Sequence, residues 1–319
     1  MTLSLRLSRG ETPGWIYSPS TPGFFFTGGY CCKVATAKYT VLGGVRQGAI
    51  PIANAEQYFE ESWSVIAPVP SPARSQAAGT SYRGAGLHIG GTFTSPPYFS
   101  AQVDRLWQGT WNAETSLPEP RHAHGAVTVD DAVYVVCGRN QQQQTVNTNL
   151  EYKNQTWTLR QSQSTLGRSF ANVCQITQGY LSCGGLSPNL EVLQDCQTYK
   201  PISDTWTIIQ SPPSGGRFAA AMGATRTKVI LAFGSQGNGL LASSVNLFEN
   251  DSWQIGQSSP NQPRSYLAYG VCGGDLMFCG GLPSSGFPTS LNESLAFDSW
   301  STRAPCLPPN RWLHSATSC

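Results

Sequence analysis

Residues 120–138 read Pro120-Arg121-His122-Ala123-His124-Gly125-Ala126-Val127-Thr128-Val129-Asp130-Asp131-Ala132-Val133-Tyr134-Val135-Val136-Cys137-Gly138, and after a polar loop come Leu150-Glu151-Tyr152 and Trp157. The mostly apolar run Ala126 to Val129 and the run Val133 to Val136 flank an Asp130-Asp131 turn. Short apolar runs bounded by turn residues suit inner strands buried on both faces. Outward from this stretch the same signals recur. A Gly-led pair stands at Gly43-Gly44, Gly90-Gly91, Gly138-Arg139, Gly184-Gly185, Gly234-Ser235 and Gly280-Gly281, with spacings of 47, 48, 46, 50 and 46 residues. A Trp follows each pair, at Trp63, Trp111, Trp157, Trp206, Trp253 and Trp300, with spacings of 48, 46, 49, 47 and 47. Two independent markers share one period, and a period in the high forties points to a propeller or a solenoid.

The unit resembles the kelch repeat over residues 40–319. The resemblance rests on an Arg before the first strand (Arg74, Arg121, Arg168, Arg217, Arg264, Arg311), a His at His124 and His314, the Gly pair, and an aromatic shortly before the Trp (Tyr58, Tyr152, Tyr199, Phe248, Phe297). The second unit departs, with Trp107 near that place. The resemblance implies an all-β fold: a six-bladed kelch-type β-propeller of four-stranded antiparallel blades. One such sheet cannot bury both its faces, so neighbours pack in a ring. Trp is expected to bury its ring between blades while its N–H finds an acceptor.

The chain ends in the start of a further unit, Arg311 to Cys319, while Lys38 to Gly44 lacks the strand that should precede it. Pairing of the C-terminal strand with the N-terminal blade would seal the ring and remove two edges. In the competing reading Lys33 to Ala37 supplies that strand and the C-terminus is a cut seventh blade. The expected organisation is an N-terminal extension, residues 1–37, and a propeller, residues 38–319.

Charged residues make up 12% of the chain and the net charge is +2. That share is about half the usual quarter. With no basic stripe, nucleic acid is not an expected partner, and no apolar run is long enough for a transmembrane segment. Ten cysteines suggest disulfides. Cys174 and Cys183 flank a turn centred on Gln178-Gly179, and Cys272 and Cys279 bracket Gly273-Gly274-Asp275, so each pair is a cross-strand candidate. Cys319 could reach Cys31 or Cys32. The alternative is that Cys137, Cys183 and Cys279 are small buried packing residues; Cys196 and Cys306 have no assignable partner. Sequons stand at Asn154, Asn250 and Asn292. Together with the cysteines they point to an extracellular glycoprotein; the start of the chain, without a long apolar stretch, leaves a cytoplasmic location as the alternative.

Signals for catalysis are sparse. His122 and His124 share one face of a strand, but no Asp, Glu or Cys pattern completes a metal site, so neither a metal nor a cofactor is expected. Sugar-acting kelch enzymes, galactose oxidases and sialic-acid epimerases, provide an enzymatic alternative; no distinctive residue set here carries their activity over. An intracellular scaffold or adaptor is a further alternative. The expected role is non-catalytic: binding of a protein or glycan partner, in adhesion or assembly, through the loops after the Gly pairs. Arg46, Phe93, Tyr98, Phe99, Arg139 and Asn140 are the candidate binding residues, since aromatics and Arg are favoured anchors. Alternation of Leu3, Leu5 and Leu7 is compatible with self-assembly by strand addition.

Overall fold

The computed structural model describes residues 38–46, 50–163, 166–225, 228–272, 274–296, 299–308, 310–311 and 315–318. All regular elements among them are β-strands. Six four-stranded antiparallel sheets carry nearly all of the structure, and three two-stranded sheets, two of them hairpins, sit beside them. In blade 3 the strands Gly125–Val129, Ala132–Val136, Asn149–Lys153 and Thr156–Arg160 pair in chain order. The innermost strands are Ser315–Ser318, Ala78–Tyr82, Gly125–Val129, Asn172–Ile176, Ala221–Ala224 and Ala268–Cys272 for blades 1 to 6, and each contacts the next until the circle closes. The fold is a six-bladed β-propeller.

Closure occurs in blade 1, where Ser315–Ser318 pairs with Tyr39–Leu42 in the register Tyr39↔Ser318 to Leu42↔Ser315. The C-terminal strand therefore completes the first blade, and the cut seventh blade is ruled out. Second strands are the most buried elements. Ala132–Val136, Gly179–Cys183 and Ala85–Ile89 are buried at every position, as expected of strands with a blade on either side.

The repeat Trp side chains and the backbone carbonyls of the repeat Arg residues tie neighbouring blades together, while the Arg side chains brace their own blades. All six indole N–H groups donate to a carbonyl of the preceding blade's connector, at 2.8–3.0 Å; Trp63 reaches Ala304 across the closure. The six Arg residues are at most 1% exposed. Each donates to backbone carbonyls in its own blade, as Arg168 does to Gly184 and Arg217 to Phe233. The backbone carbonyl of Arg121, Arg168, Arg217, Arg264 or Arg311 accepts from the glycine that closes the second strand of the blade before it. Five of the six side chains also meet a carboxylate: Asp104, Glu119, Asp195, Glu293 and Glu56 for Arg74, Arg121, Arg168, Arg264 and Arg311. Arg217 uses Ser244 instead, and burial lowers its pKa to about 10.

Two repeat markers shift by one residue. In blades 3 and 5 the left-handed pair is Cys137-Gly138 and Phe233-Gly234, with φ of 59° and 95°, and of 60° and 90°. The first members then fall at Gly43, Gly90, Cys137, Gly184, Phe233 and Gly280, spaced 47, 47, 47, 49 and 47. Glycine is required at the second position: a Cβ on Gly138 would lie 2.6 Å from the Cβ of His124. Opposite the Trp, blade 2 places Leu106 and blade 6 places Leu295, not Trp107 or Phe297.

The cysteine pairing also departs from expectation. The disulfides are Cys183–Cys196 and Cys279–Cys306. In blade 4 the turn is Thr177-Gln178, one residue earlier than Gln178-Gly179, so Cys183 faces Asn172 and Cys174 faces Leu181. Cys183 then meets Cys196 on the following strand, and Cys174 is a buried free thiol. In blade 6, Cys272 faces Asp275 while Cys279 faces Ala268. Cys137 is a buried packing residue whose thiol donates to Gln163 Oε1 at 2.9 Å. Cys31, Cys32 and Cys319 lie outside the described residues. Asn292 is no glycan acceptor in this fold: it is fully buried on a third strand, and its Nδ2 donates to the Ala304 carbonyl at 3.0 Å.

Candidate functional site

Strand direction sorts the connections onto two faces. The hairpin turns inside each blade gather on one face. The loops after the Gly pairs and the blade-to-blade connectors gather on the other, around the mouth of the central channel. The second residue after each repeat Arg forms a collar there. Gln76, Ala123, Phe170, Ala219 and Tyr266 all adopt left-handed backbone, φ 49–55°. Such a conformation costs a non-glycine residue about 1 kcal/mol or more. Backbone hydrogen bonds hold it: Ala123 N–H donates to Gln76 O, Phe170 to Ala123, Ala219 to Phe170 and Tyr266 to Ala219, at 2.7–3.3 Å. The equivalent blade-1 position, residue 313, lies outside the described residues.

The collar displays two different sectors. On one side Phe170, Phe218 and Tyr266 form an aromatic cluster, with Phe170 and Tyr266 edge to face at 5.3 Å and Phe218 6.1–6.3 Å from both. On the other, the His122 ring stacks on Phe99 at 5.3 Å, and its Nδ1 lies 2.9 Å from Gln76 Oε1. Arg139 is fixed by backbone bridges to His122 and Thr145. Its guanidinium acts electrostatically on both His122 and Tyr266. Burial raises the Tyr266 phenol, and Arg139 partly offsets that. Behind the collar a cavity of about 130 Å³ runs into the channel between Ala77, Ala126, Asn172, Ala220 and Leu267.

The histidines do not converge on a ligand. His124 is packed against Gly90, where an added Cβ would lie 2.9 Å from its Cε1, while His122 faces Phe99. No group of three or more His, Cys, Asp or Glu side chains capable of holding a metal occurs among the described residues. Burial, with Arg139 beside it, lowers the His122 pKa to about 4; burial, with Arg121 beside it, lowers His124 to about 3. The unfolded chain, with histidine near 6.5, therefore takes up these protons first. Both rings contribute stability above pH 6.5 that is lost as pH falls toward 4 and 3. Each titrating ring is expected to add a slope of up to about 1.4 kcal/mol per pH unit. Thermal melts from pH 7 to 4 should show it, and His124→Gln should reduce the slope without removing it, because His122 and the buried His88 are lowered too; a pH-independent melt over that range contradicts the assignment.

Outside the mouth, the loop face carries little charge. Apart from the six buried arginines, its loops and connectors hold only Arg46, Arg139, Glu119, Glu191 and Asp195, and Glu119 and Asp195 are paired with Arg121 and Arg168. The opposite face has Glu60, Glu61, Arg83, Asp130, Asp131 and Asp251 in its turns. Five of the six loops after the Gly pairs display an exposed apolar side chain: Ile50, Tyr98, Leu190, Leu240 and Phe287, 46–64% exposed. The blade 3 loop instead presents Gln141 to Gln144, exposed.

The expected binding residues thus separate. Phe99, by its ring, and Arg139, by its backbone, each contact His122, and Tyr98 stands exposed in the apolar crown. Phe93 is half-buried in its own loop. Asn140 serves its loop, its Oδ1 accepting from the Gln142 and Gln144 amides at 3.1 and 3.0 Å. Arg46 is exposed on the blade 1 loop, with no described contact to the mouth. Gln76, Phe170, Phe218 and Tyr266 escaped the sequence reading. The signal that finds them is distance from the repeat Arg: they stand one or two residues after it.

No protein-family model matches the chain, and no curated protein matches it. Its fold is shared. The solved structure of YjhT is similar to it with a TM-score of 0.73 and 14% sequence identity, over 89% of this chain and 99% of YjhT. At that identity the likeness concerns the fold alone.

Proposed function

We propose that this is a kelch-type binding propeller, extracellular and non-catalytic, that engages a protein or glycan partner through its loop face in adhesion or assembly. The observation that carries the reading is the contrast between the two faces. The crown of Ile50, Tyr98, Leu190, Leu240 and Phe287 surrounds a half-buried aromatic mouth, on a face with almost no unpaired charge. Interface cores are depleted in charge and enriched in aromatics and Arg, and solvent-facing loop tips need no such apolar side chains for folding. The kelch assignment is supported by the buried Arg, the left-handed Gly pair and the cross-blade Trp in each unit. Among the described residues the cavity is lined by His124, Asn172, Tyr266 and Tyr269 and by no Asp or Glu.

The protein in its native extracellular medium tests the reading. Immobilised wild-type propeller is expected to retain a partner that the triple variant Leu190→Asn/Leu240→Asn/Phe287→Asn releases, with the variant's melting temperature unchanged. Equal retention by both proteins, or none by either, sinks the proposal.

The extracellular location is supported by the two disulfides, which persist in oxidising compartments. Asn154 and Asn250 are exposed in turns of the charged face, away from the crown. Intact-mass measurement before and after deglycosylation should find glycan on Asn154 and Asn250 and none on Asn292. Bare asparagines with all cysteines reduced would place the protein in the cytoplasm.

A further inference from the structure

The fourth strand of every blade is an outer edge. One side of it pairs with the third strand, and no strand pairs with the other side among the described residues. An open edge is a template for another chain, and proteins commonly blunt it with charge. Blades 2, 3 and 6 end that strand in a charged residue, Glu114, Arg160 and Arg303, and blade 5 ends it in Gly256. Blade 1 has two serines in the strand, and the exposed Glu60 and Glu61 lead into it. Blade 4 differs. Its outer strand, Thr205–Ile209, reads Thr-Trp-Thr-Ile-Ile, five β-branched or aromatic residues with no charge, Gly or Pro among them. Thr205, Thr207 and Ile208 are exposed, Ile208 at 62%.

The strand is complementary to its own copy. In an antiparallel pairing centred on Thr207, each Trp206 faces the second copy's Ile208, Thr207 faces Thr207, and Thr205 faces Ile209. Aromatic with β-branched and Thr with Thr are favourable cross-strand pairs, and like charges are not; this strand has no charge to set against itself. Trp206 is already positioned for such a contact. Its N–H donates to the Gln161 carbonyl at 2.8 Å, its ring lies against Tyr199 with centres 5.0 Å apart, and part of it stays exposed. We propose that the outer edge of blade 4 pairs with the same edge of a second copy, joining the two blades into one continuous sheet. The pairing is two-fold, so it closes at the dimer and uses up the open edge. Two five-residue strands make a small contact beside the roughly 1,200–2,000 Å² of a standard interface, so the dimer exchanges with monomer. The edge lies on the rim of the propeller, and its pairing does not depend on whether the crown docks a partner.

Sedimentation equilibrium of the whole protein over a range of concentrations tests this. The wild type is expected to move from the monomer mass toward twice that mass as concentration rises. Thr207→Lys sets two like charges directly opposite each other and should raise the dissociation constant about tenfold or more. Thr207→Glu should do the same. An equimolar mixture of the two variants should recover the dimer, because opposite charges then face each other. Thr158→Lys, at the equivalent exposed position of the blade 3 outer strand, should leave the constant unchanged. Because Thr207 is exposed, the variants should melt at the wild-type temperature when dilute. A wild type that stays monomeric up to millimolar concentration overturns the proposal. So does a dimer weakened equally by Thr158→Lys, or one that the mixture fails to restore. A dimer dispersed by Leu190→Asn/Leu240→Asn/Phe287→Asn and not by Thr207→Lys would overturn it too and assign the contact to the crown. Loss of self-association through Thr207→Lys leaves partner capture by the crown intact, so the two proposals fail separately.

Discussion

Deletion of residues 315–319 is expected to abolish the cooperative fold rather than trim one end of it. Ser315–Ser318 is the inner strand of blade 1, and it touches the inner strands of blade 2 and blade 6 as well as its own neighbour. Its loss would uncover Tyr39, Val41 and Leu42, all with no exposed surface, and open the ring at both adjoining interfaces. Exposing a large apolar side chain costs about 1.5–3 kcal/mol. Three of them, with the ladder opposite Tyr39–Leu42, approach the 5–15 kcal/mol that a whole domain commands. Urea denaturation followed by Trp fluorescence should lose its sigmoidal transition, and Trp63 should report solvent exposure before any denaturant is added. A truncated protein that keeps a cooperative transition near the wild-type midpoint would show that closure is not what holds the ring.

Arg264→Ala is expected to be the most damaging single substitution, destabilising by about 3–5 kcal/mol, the range for breaking a buried ion pair from one side. Arg264 and Glu293 are 0% and 1% exposed. The guanidinium also donates to the Gly280 carbonyl at 2.8 Å and lies 4.3 Å from the centre of the Phe233 ring. Ser259 and Asn261 would still donate to one oxygen of Glu293, each at 2.7 Å. The other oxygen would be left charged and unmatched. Replacing both partners, Arg264→Met with Glu293→Leu, should restore much of the loss because no orphan charge remains. Arg83→Ala, at the exposed pair with Asp131, should leave the denaturation midpoint nearly unchanged. An Arg264→Ala midpoint indistinguishable from wild type would mean that the buried Arg264–Glu293 pair does not brace blade 6.

The markers legible in the sequence are those that the blade geometry itself demands. The Arg recurs because a buried fork must serve the carbonyls where the second strand ends. Trp recurs because the connector of the preceding blade leaves one carbonyl facing it. What was misread turned on single-residue shifts. Apolar Cys137 and Phe233 occupy a left-handed position that glycine marks elsewhere, so the pair was placed one residue late in two blades. In blade 4 a turn one residue earlier than expected moves Cys183 from Cys174 to Asn172, since successive side chains in a strand point to opposite faces. Sequon spelling could not separate Asn154, in a turn, from Asn292, in a buried strand. The mouth was only half visible. Phe99 and Arg139 stand out as loop residues, whereas Phe170, Phe218 and Tyr266 gain meaning once three connectors are known to meet at one channel.

The face that meets the partner is the central claim, and site-specific photo-crosslinking tests it directly. A photoreactive phenylalanine analogue placed at Tyr98 or Phe287 reports on the loop face; at Gln108 or Thr177 it reports on the turn face. With the protein in its native source material, adducts are expected from Tyr98 and Phe287 and not from Gln108 and Thr177. Adducts formed chiefly from Gln108 and Thr177 would put the partner on the charged face and contradict the account.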